Sequence, residues 1–244
     1  MPAVQDMTFE VAPGEFVCLL GTSGCGKSTI LNAIAGFIRP SGGEILLDGD
    51  PVERSSREKG IVFQSHALFP WKTVISNVEF GLKMKGISKG NRAKIAQFYL
   101  TLVGLRGYES NYPTELSGGM EQRVGIARVL ANDPLIILMD EPFGALDAQT
   151  RQMMQELLLK IWDEYNKTII FVTHDVDEAI FLADRLLVLT ARPARVKKEI
   201  CIKLARPRNY NVLLSPDFIR IKEEVIELIR EETLKTINLK AELQ

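Results

Sequence analysis

Gly21-Thr22-Ser23-Gly24-Cys25-Gly26-Lys27-Ser28 constrains this chain more than any other stretch. It fits G-x-x-x-x-G-K-[ST], directly after the apolar run Glu15 to Leu20 and before a helical pattern, Lys27 to Phe37. Strand, loop and helix in that order are the context the motif requires. Glycines let backbone N–H groups turn inward around phosphate oxygens, and the helix start adds the positive end of its dipole. Lys27 is then expected to bridge the β- and γ-phosphates of a nucleotide, and the Ser28 hydroxyl to ligate Mg²⁺. Cys25 reads as a tolerated small residue rather than a catalyst, within reach of thiol reagents when the site is empty.

Other short apolar runs alternate with helical patterns, which argues for an α/β fold with a largely parallel core. Gly43 to Leu47 and Gly60 to Phe63 read as strands. From about Val74 to Leu130 helices dominate, including Arg92 to Val103 and Met120 to Leu130, with turns at Gly104, Gly107 and Pro113. Strand patterns return at Leu135 to Met139, Thr168 to Val172 and Arg185 to Leu189, followed by a β segment at Val196 to Ile202. Ser215-Pro216-Asp217 supplies an N-cap, a first-turn proline and an acidic first turn. Phe218, Ile221, Val225 and Leu228 follow at helical spacing, as for a helix packed on the core rather than a dedicated recognition helix.

Leu135 to Glu141 is an apolar strand ending in two acids. Behind a phosphate loop, such an edge delivers Asp140 to the metal and Glu141 to the attacking water. His174, one of two histidines, leaves the strand at Thr168 to Val172, where ligands gather in open α/β sheets, and is favoured as a γ-phosphate contact. Gln64 ends Ile61-Val62-Phe63, where its amide can touch metal or water; locally this is no stronger than a solvated strand end. Leu116-Ser117-Gly118-Gly119-Met120 opens another helix. Ser117 is a good N-cap, and Gly118 and Gly119 expose N–H groups. One nucleotide needs one phosphate cradle, so this second glycine-rich start points to a site completed by another copy of the chain.

Net charge is −1, with basic and acidic residues interspersed, which argues against a nucleic-acid partner or a polybasic membrane anchor. The apolar runs fall far short of the ~20 residues that span a bilayer. The N-terminus lacks a secretory pattern, and three cysteines without metal spacing fit a reducing compartment.

Together these residues resemble the ATP-binding-cassette (ABC) ATPases over nearly the whole chain. Gly21 to Ser28 is similar to their Walker A loop, Gln64 to the Q-loop and Leu116 to Gln122 to the signature motif. Leu135 to Glu141 is similar to Walker B, Ala145-Leu146-Asp147 to the D-loop and His174 to the switch histidine. The finer resemblance is to importers of the nitrate, sulfonate, taurine and bicarbonate group. It rests on Leu68-Phe69-Pro70-Trp71-Lys72-Thr73-Val74, Thr173-His174-Asp175-Val176-Asp177-Glu178-Ala179 and Ala191-Arg192-Pro193-Ala194-Arg195. The implied fold is an α/β P-loop NTPase (RecA-like) core with a mostly helical inserted subdomain. Residues 1–73 and 131–190 would form the core, 74–130 the helical subdomain and 191–244 a C-terminal β segment and helix, all one ABC ATPase domain.

The resemblance implies ATP and Mg²⁺ as cofactors. Gly21, Ser23, Gly24, Cys25, Gly26, Lys27, Ser28 and Thr29 would contact ATP from one copy, and Ser117, Gly118, Gly119 and Asp147 would complete its site from the other. Ser28, Gln64 and Asp140 would hold the metal, and Glu141, His174, Lys27 and Gln64 would serve hydrolysis. Implied partners are a second copy or a paired ABC subunit, transmembrane permease subunits and, indirectly, a solute-binding protein, at the cytoplasmic face of the membrane. Phe69 and Trp71 serve either permease docking or plain packing. A soluble ABC-type ATPase acting on nucleic acid or ribosomes is the alternative, and the chain lacks the coiled-coil or zinc insertions usual there. Two departures stand out. Phe9 is too close to the phosphate loop to match the family's adenine-stacking aromatic, so either the start is truncated or base recognition is weaker. Glu121 stands where the subgroup more often has a basic residue.

Overall fold

The computed structural model describes residues 2–64 and 67–241. In chain order the strands are β1 (Phe16–Leu20), β2 (Leu46–Leu47), β3 (Asp50–Pro51), β4 (Lys59–Val62), β5 (Ile136–Asp140), β6 (Thr168–Thr173), β7 (Arg185–Leu189) and β8 (Val196–Cys201). The helices are α1 (Lys27–Ala35), α2 (Val74–Met84), α3 (Lys89–Leu102), α4 (Gly118–Ala131), α5 (Ala148–Tyr165), α6 (Val176–Leu182) and α7 (Pro216–Ala241). The chain divides into two units, Met1–Ser56 with Leu158–Gln244, and Arg57–Leu157.

In the first unit β1 is apolar on both faces and fully buried, as an interior parallel strand must be. It runs parallel to β6 on one side, with Leu20 opposite Thr173, and parallel to β7 on the other. β8 closes that edge antiparallel to β7. Each large side chain buried there contributes about 2–3 kcal/mol. The Trp162 indole donates to the Gly14 carbonyl (3.0 Å), lies edge-on to Phe16 and carries the Arg206 guanidinium 4.0 Å over its ring. Arg208 is buried and donates to the carbonyls of Phe181 and Ala183 at the end of α6. That burial pulls its pKa down to about 10.

Ser215 caps α7 through the Phe218 N–H, and Phe218 and Val225 are buried, as their spacing predicts. The strand expected over Gly43 to Leu47 shrinks to two residues, paired with β3. Gly43 takes φ +76, and Asp48 and Gly49 both have positive φ, the signature of a tight Asp-Gly hairpin turn. The strand keeps its expected end at Leu47 and is lost at its start, where Gly43 is out of the extended region, and Pro51, opposite Leu46, has no N–H to donate to a longer ladder.

In the second unit β4 and β5 pair in parallel, with Val62 opposite Met139. Helices α2, α3 and α4 pack on one another; Val74, Val78 and Leu82 of α2 and Val124, Ala127 and Leu130 of α4 are buried.

Candidate nucleotide site

In the first unit the glycine-rich loop joins β1 to α1 as its motif predicts. The Cys25 N–H donates to the Thr22 carbonyl (3.3 Å), and Gly24 and Gly26 take φ +78 and +126. A side chain at Gly26 would put its Cβ 2.8 Å from the Ala3 carbonyl oxygen and 3.2 Å from the Ala194 Cβ. Glycine is therefore required there by packing as well as by φ. Ala3 and Ala194 are themselves tied, the Ala194 N–H donating to the Ala3 carbonyl and the Gln5 N–H to the Ala194 carbonyl. Lys27 is buried, its Nζ donating to the carbonyls of Gly21 (2.9 Å) and Thr22 (3.0 Å). Ser23, Gly24 and Ser28 are exposed and Thr29 half-buried.

Cys25 corrects an expectation: it is only 1 % exposed, and burial raises its thiol pKa, so thiol reagents do not reach a reactive group there. Because Leu20 sits opposite Thr173, His174 leaves β6 at the same sheet edge at which Gly21 leaves β1. His174 is exposed; the next residue, Asp175, caps α6 by accepting the Glu178 N–H.

In the second unit the parallel register brings the ends of β4 and β5 to one edge. There the Gln64 amide donates to the Glu141 carboxylate at 3.3 Å. Asp140 ends β5, half-buried, and Glu141 takes φ +45, a left-handed conformation costing a non-glycine residue about 1 kcal/mol or more. Ser117 caps α4 by accepting the Met120 N–H (3.3 Å), with Ser117 and Gly118 exposed. A Cβ on Gly119 would lie 3.1 Å from Leu146, so this glycine also lets α4 approach the Ala145-Leu146-Asp147 loop. Asp147 accepts the Thr150 N–H (3.0 Å), and the hydrogen bonds from Thr150 hold its carboxyl below the usual range.

Three further residues organise this unit, and of them only Gln122, at the end of the Leu116 to Gln122 stretch, lay in a motif quoted from the sequence. Gln122, buried, donates to the Phe63 carbonyl (3.4 Å) and so ties α4 to the segment before Gln64. Arg151 donates to the carbonyls of Phe143 and Leu146 and braces the Asp147 loop. Asn77 is fully buried; it accepts the Phe69 N–H (2.8 Å) and donates to the Phe69, Lys72 and Thr73 carbonyls. A polar residue inside the apolar stripe of α2 was its one sequence signal. Phe69 packs against Phe80 (4.7 Å between centroids), whereas Trp71 is 71 % exposed. Phe69, Phe80, Met84 and Ile61 line a cleft of about 320 Å³ that Arg57, Lys59, Lys85 and Arg128 also border.

Mg²⁺ prefers hard oxygen ligands and keeps one or two protein carboxylates beside nucleotide phosphates. The Ser28 hydroxyl, Asp140 carboxylate and Gln64 amide fit that chemistry. Among the described residues no cluster of three or more His, Cys, Asp or Glu side chains is placed to hold a metal unaided. Nor, among them, is any helix long and apolar enough to cross a membrane.

The profile of the family described as ABC transporter matches residues 4–144. An uncharacterized ABC transporter ATP-binding protein of Methanocaldococcus jannaschii is 50% identical over 235 residues, covering 96% of this chain and 87% of that protein. A taurine import ATP-binding protein of Yersinia pestis is 50% identical over 230 residues, covering 92% of this chain and 90% of the relative. A nitrate import ATP-binding protein of Synechocystis is 46% identical over 241 residues, covering 96% and 91%. Among solved structures, a dimeric ATP-binding cassette in a post-hydrolysis state bound to ADP and Pi superposes with a TM-score of 0.77 at 35% identity, covering 83% of this chain and 92% of that one. The phosphate loop, the acid-ended strand and the capped glycine pair thus stand in a P-loop NTPase fold with a helical subdomain. The chain belongs to the ABC transporter family and is an ATP-binding cassette ATPase.

Proposed function

We propose that this cassette is the motor subunit of a prokaryotic importer for nitrate, sulfonate, taurine or a similar small solute, peripheral on the cytoplasmic face of the membrane. The observation that supports it most is the likeness, over more than nine-tenths of this chain, to relatives named for taurine and nitrate import. Residues 1–244 then act as one ABC ATPase domain, with 1–73 and 131–190 as core, 74–130 as helical subdomain and 191–244 as the C-terminal segment.

In this reading Gly21 to Thr29 wrap the phosphates, and Lys27 turns its ammonium from the Gly21 and Thr22 carbonyls onto phosphate oxygens. Ser28, Asp140 and Gln64 hold Mg²⁺, which when bound neutralises charge on those oxygens. Glu141 orients a water and takes its proton as the water oxygen bonds to the γ-phosphorus and the bond to the ADP oxygen breaks. The hydrogen bond from Gln64 keeps Glu141 aimed, and His174 contacts the γ-phosphate. Ser117, Gly118, Gly119 and Asp147 of a second copy close the site, so chemistry requires association. The cleft beside Phe69, with its basic border and exposed Trp71, is where a permease loop docks. The solute-binding protein acts only through that permease, and no nucleic acid takes part.

Glu141→Gln is expected to lower ATP turnover at least ~100-fold while ATP traps a dimer measurable by size-exclusion chromatography. Full activity in that variant would remove Glu141 from the mechanism. Reconstitution with permeases of the nitrate, sulfonate or taurine class from the same cell should make turnover respond to the loaded solute-binding protein; an ATPase indifferent to every such permease overturns the importer reading.

A further inference from the structure

Helix α7 has 26 residues and a length of about 39 Å. Its inner face buries Phe218, Val225 and Glu232. Its outer face carries Ile219 (46 % exposed), Ile226 (45 %), Leu234 (50 %) and Ile237 (56 %). At about 100° per residue, Ile219, Ile226 and Ile237 fall within about 20° of one line, with Leu234 about 60° to its side. Exposed apolar residues scattered singly are ordinary, but four along one stripe form a surface that asks for a cover.

The charges on that stripe say what the cover is. Glu223 and Arg230 lie about 40° and 20° from the same line. Among the described residues the ion pairs of α7 leave both of them out, using instead Lys222, Glu224 and Glu231 among others. Their positions are symmetric about the point between Ile226 and Glu227. A copy of the helix laid antiparallel about a two-fold axis there sets Ile226 against Ile226. It sets Glu223 beside Arg230 of the second copy, twice over, and Ile219 beside Leu234 of the second copy. Self-complementarity of this kind is what an isologous contact demands.

We propose that α7 pairs antiparallel with α7 of a second copy and holds two cassettes together through a surface separate from the ATP-bridged one. The proposal rests on the two-copy reading above. A lone helix pair buries less than the ~1,200 Å² of a standard stable interface. It is therefore weak between free chains and effective between chains that a shared nucleotide or permease already brings near, as a second contact within a tethered pair. Its consequence is that the cassettes do not part fully when the ATP-bridged surface opens.

The test uses the full chain with Glu141→Gln, so that ATP traps the dimer, and with Cys201→Ser, because Cys201 is exposed while Cys18 and Cys25 are buried. Ile226→Cys is expected to form an intermolecular disulfide on mild oxidation, and Glu224→Cys, on another side of the helix, is not. Adding Arg230→Glu should slow that cross-link about five- to tenfold by facing like charges. Adding Glu223→Arg as well should restore it, a rescue that mere loosening of α7 would not produce. An ATP-trapped dimer with no charge-dependent cross-link at Ile226→Cys overturns the α7 pairing alone. A charge-dependent cross-link without any ATP-dependent dimer keeps the α7 pairing and overturns the ATP-bridged one; absence of both overturns both.

Discussion

Glu232 sits in an unremarkable Glu231-Glu232 pair of the sequence, yet it is 1 % exposed and accepts from the Ala191 N–H (2.9 Å), Lys197 (2.8 Å) and Lys235 (2.7 Å). Burial by itself would raise its pKa; the hydrogen bonds from Lys197, Lys235 and Ala191 outweigh that and hold it at about 2, against 4.5 for an ordinary glutamate. A carboxylate depressed in the folded state lends stability that is complete above the unfolded pKa and lost as pH falls through the folded one. That difference corresponds to about 3 kcal/mol at neutral pH. Glu232→Gln should therefore lower stability by roughly that amount at pH 7, with the gap to wild type narrowing steadily from pH 4.5 towards pH 2. Urea denaturation of both proteins at pH 7, 4.5 and 3 checks this, and a gap that does not shrink at pH 3 contradicts it. The turn that Glu232 holds begins at Ala191 and ends against Gly26, so this carboxylate braces the phosphate loop from the far end of the sequence. No pattern along the chain announces such a partner.

Elements were legible where one face or one cap decides them. The buried run at β1, the Ser117 cap of α4 and the Ser215-Pro216 start of α7 each follow from residues within one turn or strand. The predicted strand before Asp48 was shortened at its start, where Gly43 takes φ +76 and leaves the extended region, while its end at Leu47 stands where Asp48 and Gly49 turn the chain back. Helix α2 makes the same point through Asn77. Its side chain holds the Phe69-to-Thr73 segment with four hydrogen bonds, so the aromatic border of the cleft depends on a polar group buried inside a helix. Asn77→Ala strands the Phe69 N–H and takes the side-chain donor from the Lys72 carbonyl, while the Phe69 and Thr73 carbonyls keep the backbone N–H groups of Lys72 and residue 77. It should cost about 2–3 kcal/mol. Amide exchange should rise at Phe69 while β5 stays protected; uniform exchange throughout the unit would mean that Asn77 supports the unit as a whole rather than this segment.

For the whole molecule, the issue is which residues share one nucleotide. If the site is made in trans, Ser117→Arg abolishes turnover in its own homodimer while ATP still binds at that chain's phosphate loop. Lys27→Ala likewise silences its own homodimer. Mixed in equal amounts, the two inactive chains should recover roughly a quarter of wild-type turnover, since half of the dimers pair unlike chains and each of those holds one whole site. No recovery on mixing would place both residues in one chain's site. The sequence by itself determined the phosphate loop, the Asp140-Glu141 strand end and the Ser117-Gly118-Gly119 helix start, because each depends on residue type and spacing beside a single strand or helix end. Tertiary structure alone decided that Cys25 is buried, that Gly119 packs closely against Leu146, that Gln64 meets Glu141 and that α7 leaves an apolar stripe outside. Those facts turn on burial and on pairing between distant segments, which no local periodicity encodes.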